Sequence, residues 1–459
     1  MKKNRKNKKN KKTNALSTTQ IIMLSFLLVI LLGSFILALP ISSSDGKAVP
    51  YIDALFTATT SVCVTGLVTV PTFLAWSVFG QIVILLLIQI GGLGTITVMS
   101  GFMIMLHKKM GISDSLLIQD AFNLNTASGL MQFVKKVILG TLIVEGVGAV
   151  FYMTVFVPEF GLKGIWFSIF NSVSAFCNAG LDIISENSLC GYVHNPIINF
   201  VTCLLIILGG LGFIVWWDII KVTKNIKKRK IKCFKALTLH TKIVLSTTIT
   251  LIAFGTLMFF VLEYNNPDTM KDFSLSQKLM ASLFQSVTTR TAGFATIPQE
   301  NFTTSSMLVS LLLMFIGGSP VGTAGGIKTV TAAVIVFASY AAVKNSDDIT
   351  VFNRTISADY VKKAVAVAVM SFLTVFVSAI CLINFSDAQL LDALYEAVSA
   401  TATVGLTRNF TPFVNIWGKL VIIATMYFGR VGPVSFALML NLKKNNNIIK
   451  NPYEDISVG

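Results

Sequence analysis

Four short segments recur along this chain almost in register, and each closes on a glycine. They read Thr60-Ser-Val-Cys-Val-Thr-Gly66-Leu67, Ser174-Ala-Phe-Cys-Asn-Ala-Gly180-Leu181, Val287-Thr-Thr-Arg-Thr-Ala-Gly293-Phe294 and Ser399-Ala-Thr-Ala-Thr-Val-Gly405-Leu406. The glycines are spaced 114, 113 and 112 residues apart. Self-similarity at a fixed period marks an internal repeat, whose units complete one another's burial. Each unit has the same order: a long apolar run, a short run with Phe, Leu and Ala at helical spacing, the glycine segment, and a second apolar run.

The apolar runs set the solvent. Residues 21–39, 74–106, 138–157, 197–217, 243–262, 307–343, 364–383 and 414–442 are nearly free of charge. Most reach the roughly 20 residues with which a helix spans a bilayer. They lack the alternating dyad of a transmembrane barrel. With 54% hydrophobic and 13% charged residues, the chain cannot clothe a soluble surface. The expected fold is an all-α polytopic membrane protein with four helix–pore-loop–helix repeats in pseudo-four-fold symmetry around one pore. The stretches 51–63, 165–177, 276–290 and 389–402 are too short to cross and read as re-entrant pore helices. The units divide into a basic tail (1–17), repeat 1 (18–106), repeat 2 (107–221), repeat 3 with an intramembrane loop (222–343), repeat 4 (344–442) and a C-terminal tail (443–459).

Of 37 Lys/Arg, 28 fall in 1–12, 107–136, 221–242, 344–363 and 443–450, whereas the intervening stretches hold 14 of 21 acids. The positive-inside rule then places both termini and every basic connection in the cytoplasm. A membrane flank explains this charge better than a nucleic-acid partner, and none is expected. The first apolar run is long for a signal peptide and opens a repeat, so it reads as a retained span. Six cysteines (63, 177, 190, 203, 233 and 381) show no CxxC spacing, which argues against a zinc site or a disulfide framework.

Non-helical backbone at membrane depth is tolerated where it lines a cavity. There it offers carbonyl oxygens to replace a cation's hydration shell. Gly66, Gly180, Gly293 and Gly405 permit close approach of strands, and a helix before each aims its negative end at the ion. The preceding pairs Val64-Thr65, Asn178-Ala179, Thr291-Ala292 and Thr403-Val404 are small or β-branched and predict an extended strand. The segments carry no acidic ring, which favours carbonyl coordination of a weakly hydrated monovalent ion, the only metal expected. Asp182 and Glu186 lie just outside the second segment. Arg290 is expected to turn its guanidinium away from the ion path, onto pore-helix carbonyls or an acid.

The second runs carry further glycines: Gly91-Gly92-Leu93-Gly94, Gly209-Gly210-Leu211-Gly212, Gly317-Gly318 and Gly429. The first two sets read as helix-packing sites. In repeat 3, the run from Gly317, Gly318, Ser319, Pro320 and Val321 through Gly322, Thr323, Gly325 and Gly326 opposes a continuous helix. It predicts a broken helix whose loop faces the aqueous pore below the filter and forms a gate. Gly322–Thr329 fails as a phosphate loop, because Ile327 separates Gly326 from Lys328 and no preceding strand accompanies it. Arg430 follows Gly405 by the 25 residues that separate Gly318 from Gly293, so it is expected beside the loop as a barrier to cations. Lys328 either joins that barrier or reaches for the cytoplasmic interface. Glu145, inside 138–157, has no partner evident from sequence and reads as a buried hydrogen-bonding group without a transport role.

These glycines, the Gly-Gly-…-Thr-Ala-Gly-Gly-Ile-Lys-Thr segment (317–329), Gly-Arg-Val-Gly-Pro (429–433) and the terminal Glu-Asp-Ile-Ser-Val-Gly resemble the Ktr/Trk/HKT potassium transporter superfamily over residues 18–459. The resemblance is closest to the membrane subunit of bacterial Ktr uptake systems. It implies potassium uptake across a bacterial plasma membrane, a homodimer with one pore per subunit, and a cytoplasmic RCK-type nucleotide-binding ring as regulator. It also implies a gate at 317–326 and Arg430, with no cofactor beyond permeant K+ and sodium a candidate stimulator. Gly66 favours potassium, since relatives with Ser there tend to admit sodium. Pro320-Val321 departs from the Gly or Ser of relatives. The segment 221–242 serves either this partner or lipid headgroups. The alternative within transport is a less selective sodium/potassium permease. A membrane enzyme would need a nucleophile, metal set or paired acids, yet the three histidines (107, 194 and 240) do not cluster.

Overall fold

The computed structural model describes residues 18–94, 97–98, 100, 130–224, 233–346 and 348–432. The expected tails 1–17 and 443–459, the basic stretches 107–129 and 225–232, and the end of the last apolar run (433–442) lie outside the described residues.

Four continuous helices open the four units: α1 (Thr18–Leu37), α4 (Leu130–Phe160), α8 (Leu239–Glu263) and α12 (Ala358–Ser386). Among the described residues, these are the single helices long and apolar enough to cross a membrane. At most 33% of the most apolar stretch of each is buried. They therefore keep apolar flanks outward, where lipid solvates them. After each comes a shorter helix: α2 (Tyr51–Cys63), α5 (Lys163–Cys177), α9 (Leu275–Thr288) and α13 (Leu390–Ala402). Their bounds follow the expected pore helices within two residues, and most of their side chains are buried. Ser274 and Gln277 close a reciprocal capping box on α9, the pairing that satisfies two free N–H groups at a helix start.

The second runs behave differently. They form α3 (Val78–Leu93), α6 (Pro196–Leu211) continued by α7 (Phe213–Thr223), α10 (Thr304–Phe315) resumed by α11 (Thr329–Val343), and α14 (Ile416–Val431). Three end on glycines of nearly the same backbone geometry: Gly94 (φ 85°), Gly212 (φ 89°) and Gly432 (φ 90°). Positive φ is open to glycine at no steric cost. At Gly212 the axis turns by 97° between α6 and α7. The glycine sets in repeats 1 and 2 thus do more than pack helices. Gly91 and Gly209 are packing sites, where an added Cβ would meet Val62 O at 2.1 Å and Phe176 O at 1.9 Å; the last glycine of each set breaks the helix.

Polar ties join each unit to the next. Trp166 Nε1 donates to Gln81 Oε1 (2.8 Å) between units 1 and 2, and Leu189 N to Ala295 O (3.0 Å) between 2 and 3. Tyr395 Oη donates to Gln299 Oε1 (2.9 Å) between 3 and 4, and Lys419 Nζ pairs with Asp53 (2.6 Å) between 4 and 1. Among the described residues the only sheet is a hairpin in the connection after α11, where β1 (Ile349–Val351) pairs with β2 (Arg354–Ile356). Phe352 and Asn353 turn it with φ 49° and 60°, the left-handed pair that two-residue hairpins require.

Gly209→Ala is expected to lower stability by about 1–3 kcal/mol, because overpacked backbone must shift. The melting temperature of the detergent-purified protein measures it.

Candidate functional site

The glycine segments leave the C-termini of α2, α5, α9 and α13. Val64, Asn178 and Thr403 take left-handed dihedrals (φ 55°, 61° and 51°). The next residue donates back to the helix, Thr65 N to Thr60 O, Ala179 N to Ser174 O and Val404 N to Ser399 O, each at 2.8 Å. Such endings recover carbonyls that a helix terminus leaves free. Unit 3 reaches the same point by another path: α9 stops at Thr288, Ala292 N donates to Thr288 O (3.0 Å), and Thr291 is left-handed (φ 68°).

This corrects the expectation of an extended strand. β-branched residues favour extended backbone, yet Val64, Thr291 and Thr403 sit in the left-handed region, at a cost of about 1–3 kcal/mol each. The glycines that follow by two also have positive φ: Gly66 99°, Gly180 65°, Gly293 80° and Gly405 95°. The residues between, Thr65, Ala179, Ala292 and Val404, do not. Alternating hand along three residues turns successive carbonyls toward one side, which a uniform strand cannot do.

The four segments meet. A Cβ on Gly66 would lie 2.6 Å from Ala179 O, on Gly180 2.6 Å from Ala292 O, on Gly293 2.6 Å from Val404 O, and on Gly405 2.2 Å from Thr65 O. Each glycine thus faces the carbonyl of the next unit, and the order closes on itself. Hydroxyls steady two of the segments: Gly66 N donates to Thr60 Oγ1 (2.9 Å) and Gly405 N to Ser399 Oγ (3.0 Å). Asn178 Nδ2 reaches Thr291 Oγ1 (3.4 Å) in the neighbouring segment.

Behind the ring, buried and half-buried acids brace α2 and α13 to the chain beyond the glycines. Asp53 accepts from Thr69 Oγ1 (2.8 Å), Asp392 pairs with Arg408, and Glu396 accepts from Thr407 Oγ1 (2.9 Å) and from Thr411. The residues that bind Asp53, Asp392 and Glu396 lie 11 to 16 positions away and carry no local signal in the sequence. Arg290 turns toward α8, with Nη2 3.4 Å from Thr248 Oγ1. Its neighbour is a hydroxyl rather than the expected acid or carbonyl.

The interrupted second run of unit 3 lies against unit 2. Ser319 N donates to Gly210 O (2.9 Å), Thr323 N to Gly209 O (3.2 Å), and Phe213 N to Val321 O (3.0 Å). Thr323 Oγ1 reaches Phe176 O (3.2 Å). Its inner face abuts the ring segments, since a Cβ on Gly317 would lie 3.0 Å from Thr291 Cγ2 and one on Gly325 1.9 Å from Thr403 Oγ1. Much of this backbone is therefore paired with protein rather than open to a pore. Pro320 and Val321 (φ 61°) sit at the α6–α7 bend, where a Cβ on Gly212 would meet Pro320 O at 2.4 Å.

Arg430, on the last turn of α14, donates to Thr323 O in this loop and to Gly91 O on α3. A mid-membrane arginine costs about 2.5–3.5 kcal/mol on insertion scales, and charge-assisted bonds to two carbonyls offset it. Lys328 Nζ donates to Ala324 O (2.6 Å), which ties it to the loop. Among the described residues, no His, Cys, Asp or Glu cluster could hold a metal ion.

Beyond the second segment, Ile184 N and Ser185 N donate to Asp182 Oδ1 (3.3 and 3.5 Å). Burial nevertheless pushes this carboxyl up to about 6.

The family described as TrkH, cation transport protein, matches residues 1–449. The Ktr system potassium uptake protein B of Bacillus subtilis strain 168 is 38% identical over 430 residues, covering 94% of each chain. The potassium/sodium uptake protein NtpJ of Enterococcus hirae is 37% identical over 454 residues, 97% of this chain and 98% of the relative. The crystal structure of the potassium transporter TrkH from Vibrio parahaemolyticus superposes with a TM-score of 0.72 at 18% identity, over 94% of this chain and 86% of that one; the fold is shared. These relatives are transporters, not enzymes.

Asp182 gains its charge as pH rises through about 6, and a charged mouth concentrates cations. Cation uptake at subsaturating concentration is expected to rise severalfold from about pH 5 to about pH 7. Asp182→Asn flattens that profile in an isotope-flux assay.

Proposed function

The chain belongs to the TrkH family of cation transport proteins, and from that premise we propose that it takes up potassium through one pore at the glycine ring. The observation that carries this reading is the closed order of contacts, Gly66 to Ala179, Gly180 to Ala292, Gly293 to Val404 and Gly405 to Thr65. Four equivalent turns around one axis, with carbonyls of alternating hand, supply the oxygen cage that replaces the hydration shell of a weakly hydrated ion. The filter comprises residues 64–66, 178–180, 291–293 and 403–405, in a pseudo-four-fold arrangement of helix–pore-loop–helix units.

The gate is the 317–326 loop with Arg430 and Lys328. The Arg430 guanidinium beneath a carbonyl cage repels the next cation in the file. Arg430 holds the loop through Thr323 O and the first unit through Gly91 O, so releasing it removes one of the loop's anchors. Both termini face the cytoplasm of a bacterial cell, as the basic connections favour. The name of the Bacillus relative describes one protein of a system. This supports a regulatory partner for the present chain, an RCK-type nucleotide-binding ring on the basic cytoplasmic face beneath a homodimer. Sodium is a stimulator or, as the name of the Enterococcus relative favours, a second permeant ion in a less selective permease.

Rescue of a bacterial strain without potassium uptake at low external potassium, with rubidium and sodium as competitors, tests the reading. Growth restored by the chain with its partner, blocked by rubidium before sodium, is expected; no rescue counts against it. Gly66→Ser places a side chain against Ala179 O and is expected to lower the potassium-to-sodium flux ratio about tenfold. Arg430→Gln removes a charge and is expected to raise potassium flux in proteoliposomes at equal protein density. Unchanged flux there removes Arg430 from the gate.

A further inference from the structure

A carboxylate within a membrane helix is costly and marks function more often than architecture, and Glu145 has no place in the ring, the loop or the outer braces. It is 4% exposed on α4, and its side chain sits where three elements meet. Gln89 Nε2 on α3 donates to Oε2 (3.1 Å), and the Cys177 thiol at the end of α5 points to Oε1 (3.8 Å) and to Gln89 Oε1 (3.7 Å). Ser172 Oγ, also on α5, donates to the Glu145 carbonyl (2.6 Å). Among the described residues the carboxylate has no ion-pair partner.

Equivalent positions show how unusual this is. Three residues after Glu145, a Cβ on Gly148 would press on Ser172 Oγ (2.5 Å) and Leu205 Cδ1 (2.8 Å). In unit 3, Gly255 does the same against Ser286 Oγ (2.4 Å) and Leu313 Cδ1 (2.7 Å), and Ser286 donates to Ile252 O (2.8 Å). Gly33 meets Leu87 (2.7 Å) in unit 1, and Ser378 bonds Thr425 (2.7 Å) in unit 4. Counting back three residues, the counterparts of Glu145 are Ile30, Ile252 and Val375. Aliphatic side chains suffice for helix packing there; only unit 2 has an acid.

We propose that Glu145 is a positioning residue that sets ion selectivity through the second filter segment, a role resting on the filter reading above. Cys177 precedes Asn178, whose left-handed turn begins that segment and whose amide reaches Thr291 in the third. On its other side the thiol is hemmed by α3, where a Cβ on Gly92 would lie 2.5 Å from Sγ. The carboxyl oxygens accept from Gln89 and Cys177, and so fix the height of the α5 terminus against α3 and α4. A carbonyl cage discriminates ions by its size and by the number and field of its oxygens; an acceptor that holds one of its four walls acts on the ratio of ions passed.

The test is the potassium-to-sodium flux ratio of the purified full chain in proteoliposomes, with melting temperature measured alongside. Glu145→Leu, which installs the aliphatic character of the other units, is expected to fold and to lower the ratio about tenfold, as loss of a supporting partner does at ion sites. Glu145→Gln keeps an acceptor and is expected to stay within about twofold of the parent. A Glu145→Leu ratio equal to the parent's overturns the proposal. So does a Glu145→Gln loss as large as that of Glu145→Leu, because charge rather than position then acts. If Glu145→Leu fails to fold, Cys177→Ala and Cys177→Ser decide: loss with Ala and retention with Ser are expected, and an unchanged ratio with Ala overturns it. Gly180→Ser in the same assay isolates the filter reading, which fails by itself if that ratio stays at the parent's value.

Discussion

Four backbone turns approach one another so closely that no Cβ fits at Gly66, Gly180, Gly293 or Gly405, and the other features are arranged to hold that approach. Carbonyls turned toward a shared axis are not paired along their own chain, and in a membrane an unpaired backbone group is costly. The chain concentrates this cost in one place and satisfies its surroundings. Schellman-type endings recover helix carbonyls, hydroxyls of Thr60 and Ser399 take glycine N–H groups, and buried acids hold the chain beyond the ring. The strain at Val64, Thr291 and Thr403 persists because closure over-determines those dihedrals.

The two long apolar runs of each unit divide the work. The first spans are long and continuous and present apolar flanks outward, as lipid requires. The helices of the second runs end on Gly94, Gly212 and Gly432 or open into the 317–326 loop. Breaks are affordable there because neighbouring protein re-satisfies the freed backbone, as Gly209 and Gly210 do for Thr323 and Ser319.

Much of this was legible in the sequence. The glycine period located the four segments that meet, the short amphipathic runs located α2, α5, α9 and α13 within two residues, and glycine with proline marked the interrupted second run. Equal offsets put Arg430 beside the loop, where it bonds Thr323 O. The misses share a cause. β-branched residues before the glycines pointed to extended backbone, a local preference overridden by a closed tertiary ring. Glu145 showed no partner because Gln89 and Cys177 lie 56 and 32 residues away. Arg290 was expected on an acid or a carbonyl, yet its neighbour Thr248 is an uncharged hydroxyl 42 residues distant.

The loop of unit 3 is anchored on both sides of the Gly212 bend, by Gly209 and Gly210 carbonyls before it and by the Phe213 N–H after it. A displacement of the loop therefore uncaps the two half-helices at once, and a straightening of that span removes the anchorage of the loop. Bend and loop form one latch with a single energetic balance. Whatever grips α7 acts on the latch without touching the glycine ring, and its leverage is set by the orientation of a helix that begins at the hinge itself.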